Sequence, residues 1–259
     1  YYRTISETLS RSPENSTIEI LPGEYILSSE LFITKNLIIL SATGEQVTLN
    51  SSLQRRILTI TENINCTFNN ISFINGKDTL LSNNGGAILL KGNNHIAFNN
   101  CIFNNNTAQN GNGNGGAIYN KKNISNLIFQ ECSFNNNNAD NGSVFYNAGI
   151  SLNISISNSV FNENTAAENG GISYQTNITA NNCIFTNNQA NYGGLFYLGN
   201  ITLLNSTANN NTANSGGITY RCNLYAARNT FYGNSATNYS AIGFNGTQYY
   251  ENCIFYKNT

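Results

Sequence analysis

A short motif recurs along the chain at nearly fixed spacing and restricts the fold more than any other feature. It is clearest at Cys101-Ile102-Phe103, which is followed by Asn106 and then by Gly115-Gly116. Its aromatic position recurs at steps of 30, 31, 27, 24, 23, 23 and 24 residues. A repeat of roughly 23 residues fits one coil of a β-solenoid, with three strands of about 4–6 residues and their turns.

The composition of the repeat favours strands over helical repeats. Each unit is rich in Asn, Gly, Ile, Phe, Tyr and Thr and poor in Ala, Leu, Glu and Lys,. Polarity alternates with period two, which places Cys101 and Phe103 on one face of a strand and Ile102 on the other. The sequence therefore predicts an all-β, parallel β-helix (β-solenoid) of roughly ten coils, about 45–50 Å long at the spacing between strands.

Stacked coils would bring equivalent residues of each unit into columns. The aromatic position predicts a core column of Phe73, Phe103, Phe134, Phe161, Phe185, Phe231 and Phe255. The position three residues later predicts an inward column of Asn106, Asn137, Asn164, Asn188, Asn211, Asn234 and Asn258. Asparagine suits such a bend because its amide both donates and accepts hydrogen bonds and because it tolerates left-handed backbone. The Gly-Gly pair predicts a tight bend before the next strand.

Two tetrapeptides, Gly-Gly-Ala-Ile and Phe-x-x-Asn, alternate over about residues 66–259, as at Phe103–Asn106 and Gly115–Ile118. This pattern resembles the polymorphic outer-membrane-protein repeat of chlamydial surface autotransporters. The chain departs from that repeat at Gly76, Ser143, Ala208 and Ala241. The resemblance implies a solenoid fold and a surface context, without indicating any particular partner.

The chain reads as one β-helix domain over residues 1–259. Residues 1–20 form an N-terminal cap, 21–65 the first irregular coils, and 66–259 the repeats, which we expect to continue beyond the C-terminus or to meet another molecule there. Residues 3–11 predict an amphipathic helix, followed by a strand at Thr17–Leu21 and a Pro22-Gly23 turn. This order resembles the opening of pectin-lyase-like right-handed parallel β-helices. The resemblance implies a right-handed solenoid whose first coil is covered by a short capping helix.

Low charge restricts the partners. Charged residues make up 10% of the chain, the net charge is −1, and Lys and Arg form no run. We therefore expect neither nucleic acid nor an anionic membrane as a partner. No apolar run reaches the 18–20 residues of a membrane span. Because the chain begins at Tyr1 without a charged-then-apolar leader, we expect a processed mature form or a fragment,.

Catalytic groups are few and scattered. Asp78 and Asp140 are the only aspartates and fall in different units, and His95 is the only histidine. We therefore expect no enzyme, no metal site and no cofactor. We expect His95 to be an exposed or edge residue and Arg55-Arg56 to lie in a solvated turn. A polysaccharide lyase or hydrolase remains the alternative, and it predicts a cluster of acidic or basic groups on one face.

The six cysteines contain no C-x-x-C motif, which disfavours zinc or thioredoxin-type chemistry,. Within the inward column, only Cys101 and Cys132 lie in adjacent coils. They are a possible disulfide, and buried thiols are the competing interpretation.

The sequence leaves open whether two further sets of residues point outward or inward. Asn-x-Ser/Thr sequons, candidate N-glycosylation sites in a secreted eukaryotic chain, occur at Asn15, Asn50, Asn65, Asn70, Asn105, Asn123, Asn141, Asn153, Asn177, Asn200, Asn205, Asn210, Asn238 and Asn245. A tyrosine follows the Gly-Gly element at Tyr119, Tyr146, Tyr174, Tyr197 and Tyr220. These tyrosines form either a surface ladder for sugar rings or a second core column.

Together these features predict an extracellular or cell-surface structural or adhesive protein that acts as a stalk, adhesin or fibre subunit. Its expected partners are other copies of itself, by end-to-end or lateral assembly, or glycans of a host or cell surface. The alternatives are the polysaccharide enzyme and a non-catalytic glycan-binding module.

Overall fold

The computed structural model describes residues 4–79, 84–109 and 111–259. The chain is a parallel β-solenoid of about ten coils with one short helix at its N-terminal end, as the repeat predicts. Helix α1 spans Ile5–Arg11, and the Thr4 hydroxyl caps it by accepting a hydrogen bond from the Glu7 N–H at 3.1 Å. Leu9 on this helix is buried in the core of the first coil. Residue 3 of the predicted helix lies outside the described residues.

The strands follow one another coil by coil. The first three coils contain β1 (Ser16–Ile20), β2 (Gly23–Ile26), β3 (Leu31–Ile33), β4 (Leu37–Ser41), β5 (Val47–Asn50), β6 (Leu58–Ile60), β7 (Asn65–Asn69), β8 (Ile71–Ile74) and β9 (Ile88–Leu90). The next three contain β10 (His95–Asn99), β11 (Ile102–Asn104), β12 (Thr107–Ala108), β13 (Ile118–Asn120), β14 (Ile124–Gln130), β15 (Ser133–Asn135), β16 (Asn138–Asn141), β17 (Phe145–Asn147), β18 (Ser151–Ser157), β19 (Val160–Asn162) and β20 (Thr165–Asn169). The remaining coils contain β21 (Ser173–Asn181), β22 (Ile184–Thr186), β23 (Phe196–Leu204), β24 (Thr207–Asn209), β25 (Thr212–Ala213), β26 (Thr219–Ala227), β27 (Thr230–Tyr232), β28 (Ser235–Ala236), β29 (Gly243–Phe244), β30 (Gln248–Glu251) and β31 (Ile254–Tyr256).

Equivalent strands of successive coils pair in parallel and form the walls of the solenoid. Within the described residues, sheet A has 16 strands and includes the run β1-β4-β7-β10-β14-β18-β21-β23-β26-β30. Sheet B has ten strands, in the order β2-β5-β8-β11-β15-β19-β22-β24-β27-β31. Sheet C consists of the short sets β12-β16-β20 and β25-β28. Because strands in sheets A and B pair with their counterparts one coil later, like positions lie directly over one another.

The predicted phenylalanine column forms the inner face of sheet B. Ring centroids from Phe73 to Phe185 are separated by 4.9, 4.9, 4.5 and 5.0 Å, with the rings nearly parallel. Phe255 is the exception among the predicted core residues, because it is 45% exposed. Its ring stacks on Phe231 at 5.0 Å and meets the edge of Tyr250 at 5.0 Å, but it lies in the last described coil, so no further phenylalanine of the column covers its other face.

A second phenylalanine column, which the repeat did not predict, lines the inner face of sheet A. Phe68, Phe98 and Phe129 stack at 5.1 and 4.9 Å. Their rings meet those of the first column edge to face, as in the Phe98–Phe103 pair at 5.3 Å. Two perpendicular stacks thus fill the middle of the rod, an arrangement that aromatic quadrupoles favour.

The predicted asparagine column is a fully hydrogen-bonded inner ladder. Asn164 Nδ2 donates to the Phe134 carbonyl and to Asn188 Oδ1, both at 2.9 Å. Its Oδ1 accepts from the Asn137 N–H at 3.0 Å and from Asn137 Nδ2 at 2.9 Å. Gly76, which takes the place of an asparagine, donates its N–H to Asn106 Oδ1 at 2.8 Å and so begins the ladder. These amides are buried from Asn106 to Asn234, and Asn258 is half-buried.

Glycine makes the predicted bend before the next strand possible. Gly115 has φ of +67°, in the left-handed region, and a Cβ on Gly116 would collide with the carbonyl oxygen of Ser143 in the next coil. The coils approach too closely there for a side chain on that side.

Candidate functional site

A largely buried clamp joins Arg56 to Glu30 and Asp78 in the first coils, contrary to the prediction of a solvated Arg55-Arg56 turn. Arg56 is only 5% exposed. Its guanidinium lies 2.7 Å from Asp78 Oδ2 and 3.1 Å from Glu30 Oε1, and it donates to the carbonyls of Asn84 and Gly85 at 2.9 Å. Buried charges need this kind of pairing. The three charged residues belong to successive coils. Their side chains meet between these coils and are therefore shielded from water.

The remaining candidate catalytic residues lie apart. Asp140 Oδ2 accepts the Gly113 N–H at 2.6 Å in a different loop from Asp78. His95 begins β10 and is exposed on the outer face of sheet A. Over residues 4–79, 84–109 and 111–259, His, Cys, Asp and Glu side chains form no group of three or more suited to a metal ion. Within the same ranges, no helix is long and apolar enough to cross a membrane.

All six cysteines are free thiols in this structure, Cys101 and Cys132 among them, and a disulfide between these two stays a prediction. Both are buried, and each Sγ donates to backbone carbonyls, including Cys132 to Phe98 at 3.4 Å. Burial raises the pKa of Cys101 well above its ordinary value, and raises the pKa of Cys66 and of Cys222 to about 12. Such thiols are poor nucleophiles because little thiolate forms near neutral pH.

The sequons divide into accessible and inaccessible ones. Eight are exposed, at Asn15, Asn65, Asn105, Asn200, Asn205, Asn210, Asn238 and Asn245, and five are half-buried, at Asn70, Asn123, Asn141, Asn153 and Asn177. Asn50 is 9% exposed, and its Nδ2 donates to Glu24 Oε1 at 2.6 Å. In the folded chain the Asn50 amide is therefore buried and hydrogen-bonded, and Asn50 is the least accessible of the predicted glycan acceptors.

The five tyrosines form a half-buried ladder along one corner of the rod. Neighbouring rings are 5.4, 4.7, 5.2 and 5.5 Å apart, and their planes differ by 3–15°. Burial raises the pKa of Tyr146 to about 12. Because each ring face is covered by the next tyrosine, the ladder offers ring edges and hydroxyls to solvent. A sugar that stacks on an aromatic face would find none free between Tyr119 and Tyr220.

The outer face of sheet A carries two adjacent columns of uncharged side chains. We call the first the amide column: Asn36, Asn65, His95, Asn126, Asn153, Asn177, Asn200 and Asn223. We call the second, two residues further along each strand, the middle column: Ile38, Thr67, Ala97, Ile128, Ser155, Thr179, Thr202 and Tyr225. From Asn126 to Asn223 the amides bond to one another at 3.0–3.1 Å.

A shallow trough of about 460 Å³ crosses these two columns in the N-terminal half of the rod. Its ends are Ile38 and Ile128, which are 42% and 54% exposed, and the smaller Thr67 and Ala97 lie between them. The amide column forms one side. Sequence reasoning missed this site because the residues are about 30 apart in the chain. The signal was present as two smaller residues, Thr67 and Ala97, between two isoleucines at the same repeat position.

No protein-family model, no curated protein and no solved structure matches this chain significantly.

Proposed function

We propose that this chain is a non-enzymatic extracellular β-solenoid that serves as a structural or adhesive element of a cell surface, as a stalk, adhesin or fibre subunit. The observation that carries the proposal is the pairing of a continuous hydrogen-bonded inner ladder with outer columns of uncharged side chains. The inner ladder supports an extended rod, and the outer columns support a repetitive contact surface.

The inner ladder supports the structural part of the proposal. Each step from Asn106 to Asn258 repeats the same amide-to-amide bond, at 2.9–3.0 Å. Such stacked amides stabilise repetitive β structure strongly. Since the neighbouring phenylalanine stacks run parallel to this ladder, coils are joined to their neighbours by both polar and apolar contacts. A rod of this kind holds its ends at a fixed separation.

The outer columns support the adhesive part. The side chains of the amide and middle columns are held at the inter-strand spacing of about 4.8 Å on a sheet whose register is fixed. Each amide that uses one donor and one acceptor along the ladder keeps a second donor and acceptor for a partner. A pre-organised array loses little conformational freedom when it binds, which favours contact with an extended partner.

The proposal is tested on cells of the source organism and on the purified chain. An antibody against the chain is expected to stain intact, non-permeabilised cells, and beads coated with the native chain are expected to adhere to a surface more than beads coated with the urea-denatured chain. Incubation with uronic-acid and neutral polysaccharides is expected to release no new reducing ends. Staining confined to permeabilised cells, or steady turnover of any polymer, would overturn the proposal.

A further inference from the structure

We propose that the trough on sheet A binds a neutral carbohydrate segment of about disaccharide size. This inference rests on the proposed surface function, of which it names the partner class and the place of contact.

The first argument is shape. Ile38, Thr67, Ala97 and Ile128 occupy the same position in four successive coils. Three coil steps of about 4.8 Å place the two isoleucines roughly 14 Å apart. The side chains of Thr67 and Ala97 are shorter than the isoleucines, so the floor lies below both ends. The volume of about 460 Å³ is in the range of small-ligand sites,.

The second argument is the set of hydrogen-bonding groups that the amide column presents along one side of the trough. Asn126 Oδ1 accepts from Asn153 Nδ2 at 3.0 Å, which fixes the orientation of the Asn126 amide. Asn126 Nδ2 lies 3.3 Å from His95 Nδ1. An amide nitrogen only donates, so Nδ1 accepts and Nε2 carries the proton. His95 Nε2–H and the amide of Asn65, which also lines the trough, are then available to hydroxyl groups.

The third argument is charge. None of the side chains that line the trough, all of them among the described residues, is a carboxylate, lysine or arginine. An anionic sugar would lose its hydration without an ionic partner, which is costly. A neutral sugar presents C–H groups to Thr67, Ala97 and the isoleucines and hydroxyls to the amide side. The lining therefore matches a neutral sugar and disfavours a uronic acid.

The test uses the whole chain, produced without glycosylation, so that the Asn65 sequon carries no sugar of its own. Cellobiose, lactose and di-N-acetylchitobiose are titrated against the ¹⁵N-labelled protein, with digalacturonate as the charged probe. At least one neutral disaccharide is expected to shift the side-chain amide signals of Asn65 and Asn126 and the backbone signals of residues 95–97. Digalacturonate is expected to bind more weakly.

Two matched variants locate the site. Ala97→Phe fills the trough and is expected to weaken binding at least about tenfold, a loss of ~1.4 kcal/mol. Ser155→Phe places the same side chain in the same middle column, one coil beyond Ile128, and is expected to change binding less than about twofold. Both positions face outward, so thermal unfolding of both variants should match that of the parent.

Three results would overturn the inference: no trough signals shift with any neutral disaccharide, digalacturonate binds more tightly, or Ser155→Phe weakens binding as much as Ala97→Phe. Failure here is distinguishable from failure of the proposed function. Surface staining and bead adhesion that persist in Ala97→Phe would show an adhesive rod whose contact lies elsewhere.

Discussion

The same amino acid forms two ladders in this molecule, one inside the rod and one outside. In the inner ladder, the Asn164 side chain makes four hydrogen bonds of 2.9–3.0 Å and is buried. In the amide column, Asn200 bonds to Asn177 at 3.0 Å and to Asn223 at 3.1 Å, and it is exposed. The spacing between the amides is alike, but the two ladders differ in the access of water and in the number of hydrogen bonds that each side chain makes.

That difference decides what each ladder contributes. Water can replace a lost partner on the outer face, so the net value of each bond there is small. Inside, no water reaches the amides, and a lost partner leaves buried donors and acceptors unsatisfied. The inner ladder therefore stabilises the fold, whereas the outer ladder arranges groups that remain available for contacts.

The largest effect is expected from cutting the inner ladder. Asn164→Ala removes the partners of the Asn137 N–H, Asn137 Nδ2 and the Phe134 carbonyl. At ~1–3 kcal/mol for each buried group, the free energy of unfolding should fall by about 5 kcal/mol. Urea denaturation followed by circular dichroism measures the loss.

The matched control for that variant is Asn200→Ala in the amide column, which should change the free energy of unfolding by less than about 0.5 kcal/mol. Equal losses from the two variants would contradict the comparison between inner and outer ladders.

Two adjacent residues of β19 test the same contrast for apolar side chains. Phe161 is buried between Phe134 and Phe185, with ring distances of 4.5 and 5.0 Å, while Val160 points outward. Phe161→Ala should lower the free energy of unfolding by about 3–5 kcal/mol, because the stack is interrupted by a cavity. Val160→Ala should lower it by less than about 1 kcal/mol. Thermal and urea denaturation measure the loss in both variants. A larger loss of the free energy of unfolding from Val160→Ala than from Phe161→Ala would refute the inward orientation of Phe161.

The free energy of unfolding should depend on pH through the buried thiols. Burial raises the pKa of Cys222 from its ordinary value of 9.0 to about 12. Above pH 9 the unfolded chain therefore releases this proton while the folded chain keeps it, so this contribution to stability is lost as pH rises toward 12. The free energy of unfolding should therefore fall between about pH 9 and pH 12,.

The share of Cys222 in that fall is measured by substitution. Cys222→Ala should flatten the pH dependence of the free energy of unfolding relative to the parent. An identical slope in the parent and in Cys222→Ala would show that this thiol contributes nothing.

The smallest effect concerns the backbone of the outer surface. Leu198 has φ of +55°, in the left-handed region that costs most L-residues ~1–2 kcal/mol,. Leu198→Asn should raise the free energy of unfolding by about 0.5–1 kcal/mol, because asparagine tolerates this conformation. Thr202→Asn, on the extended part of the same strand, should give no such gain. A loss of stability in Leu198→Asn, measured by urea denaturation, would show that packing of the leucine outweighs the strain.

Much of the fold was predictable because a solenoid repeats its constraints. The spacing of Phe103 and Asn106 relative to later copies defined the coil, and alternation in the strand showed which side chains point inward. The second stack of Phe68, Phe98 and Phe129 was missed, since it lies in the variable part of the repeat. The inaccessible Asn50 and the buried Arg56 were also missed, because both depend on partners in other coils.

The candidate site was hidden for a similar reason. Ala97 and Ile128 become neighbours only when the strands pair, and each is unremarkable in its own unit. The tyrosine ladder was recognised, but whether it faced the core or solvent was left open. Its half-buried rings and covered faces follow from stacking, which sequence spacing does not describe.

By itself, the sequence determined the period, the strand composition and the inner columns, because a residue repeated at every coil is placed over its own copies by any regular stacking. The tertiary structure alone decided which asparagines are shielded from water, which charges pair and where the outer face dips. Those properties depend on side-chain size and burial between coils, and these are settled only when residues far apart in the chain are brought into contact.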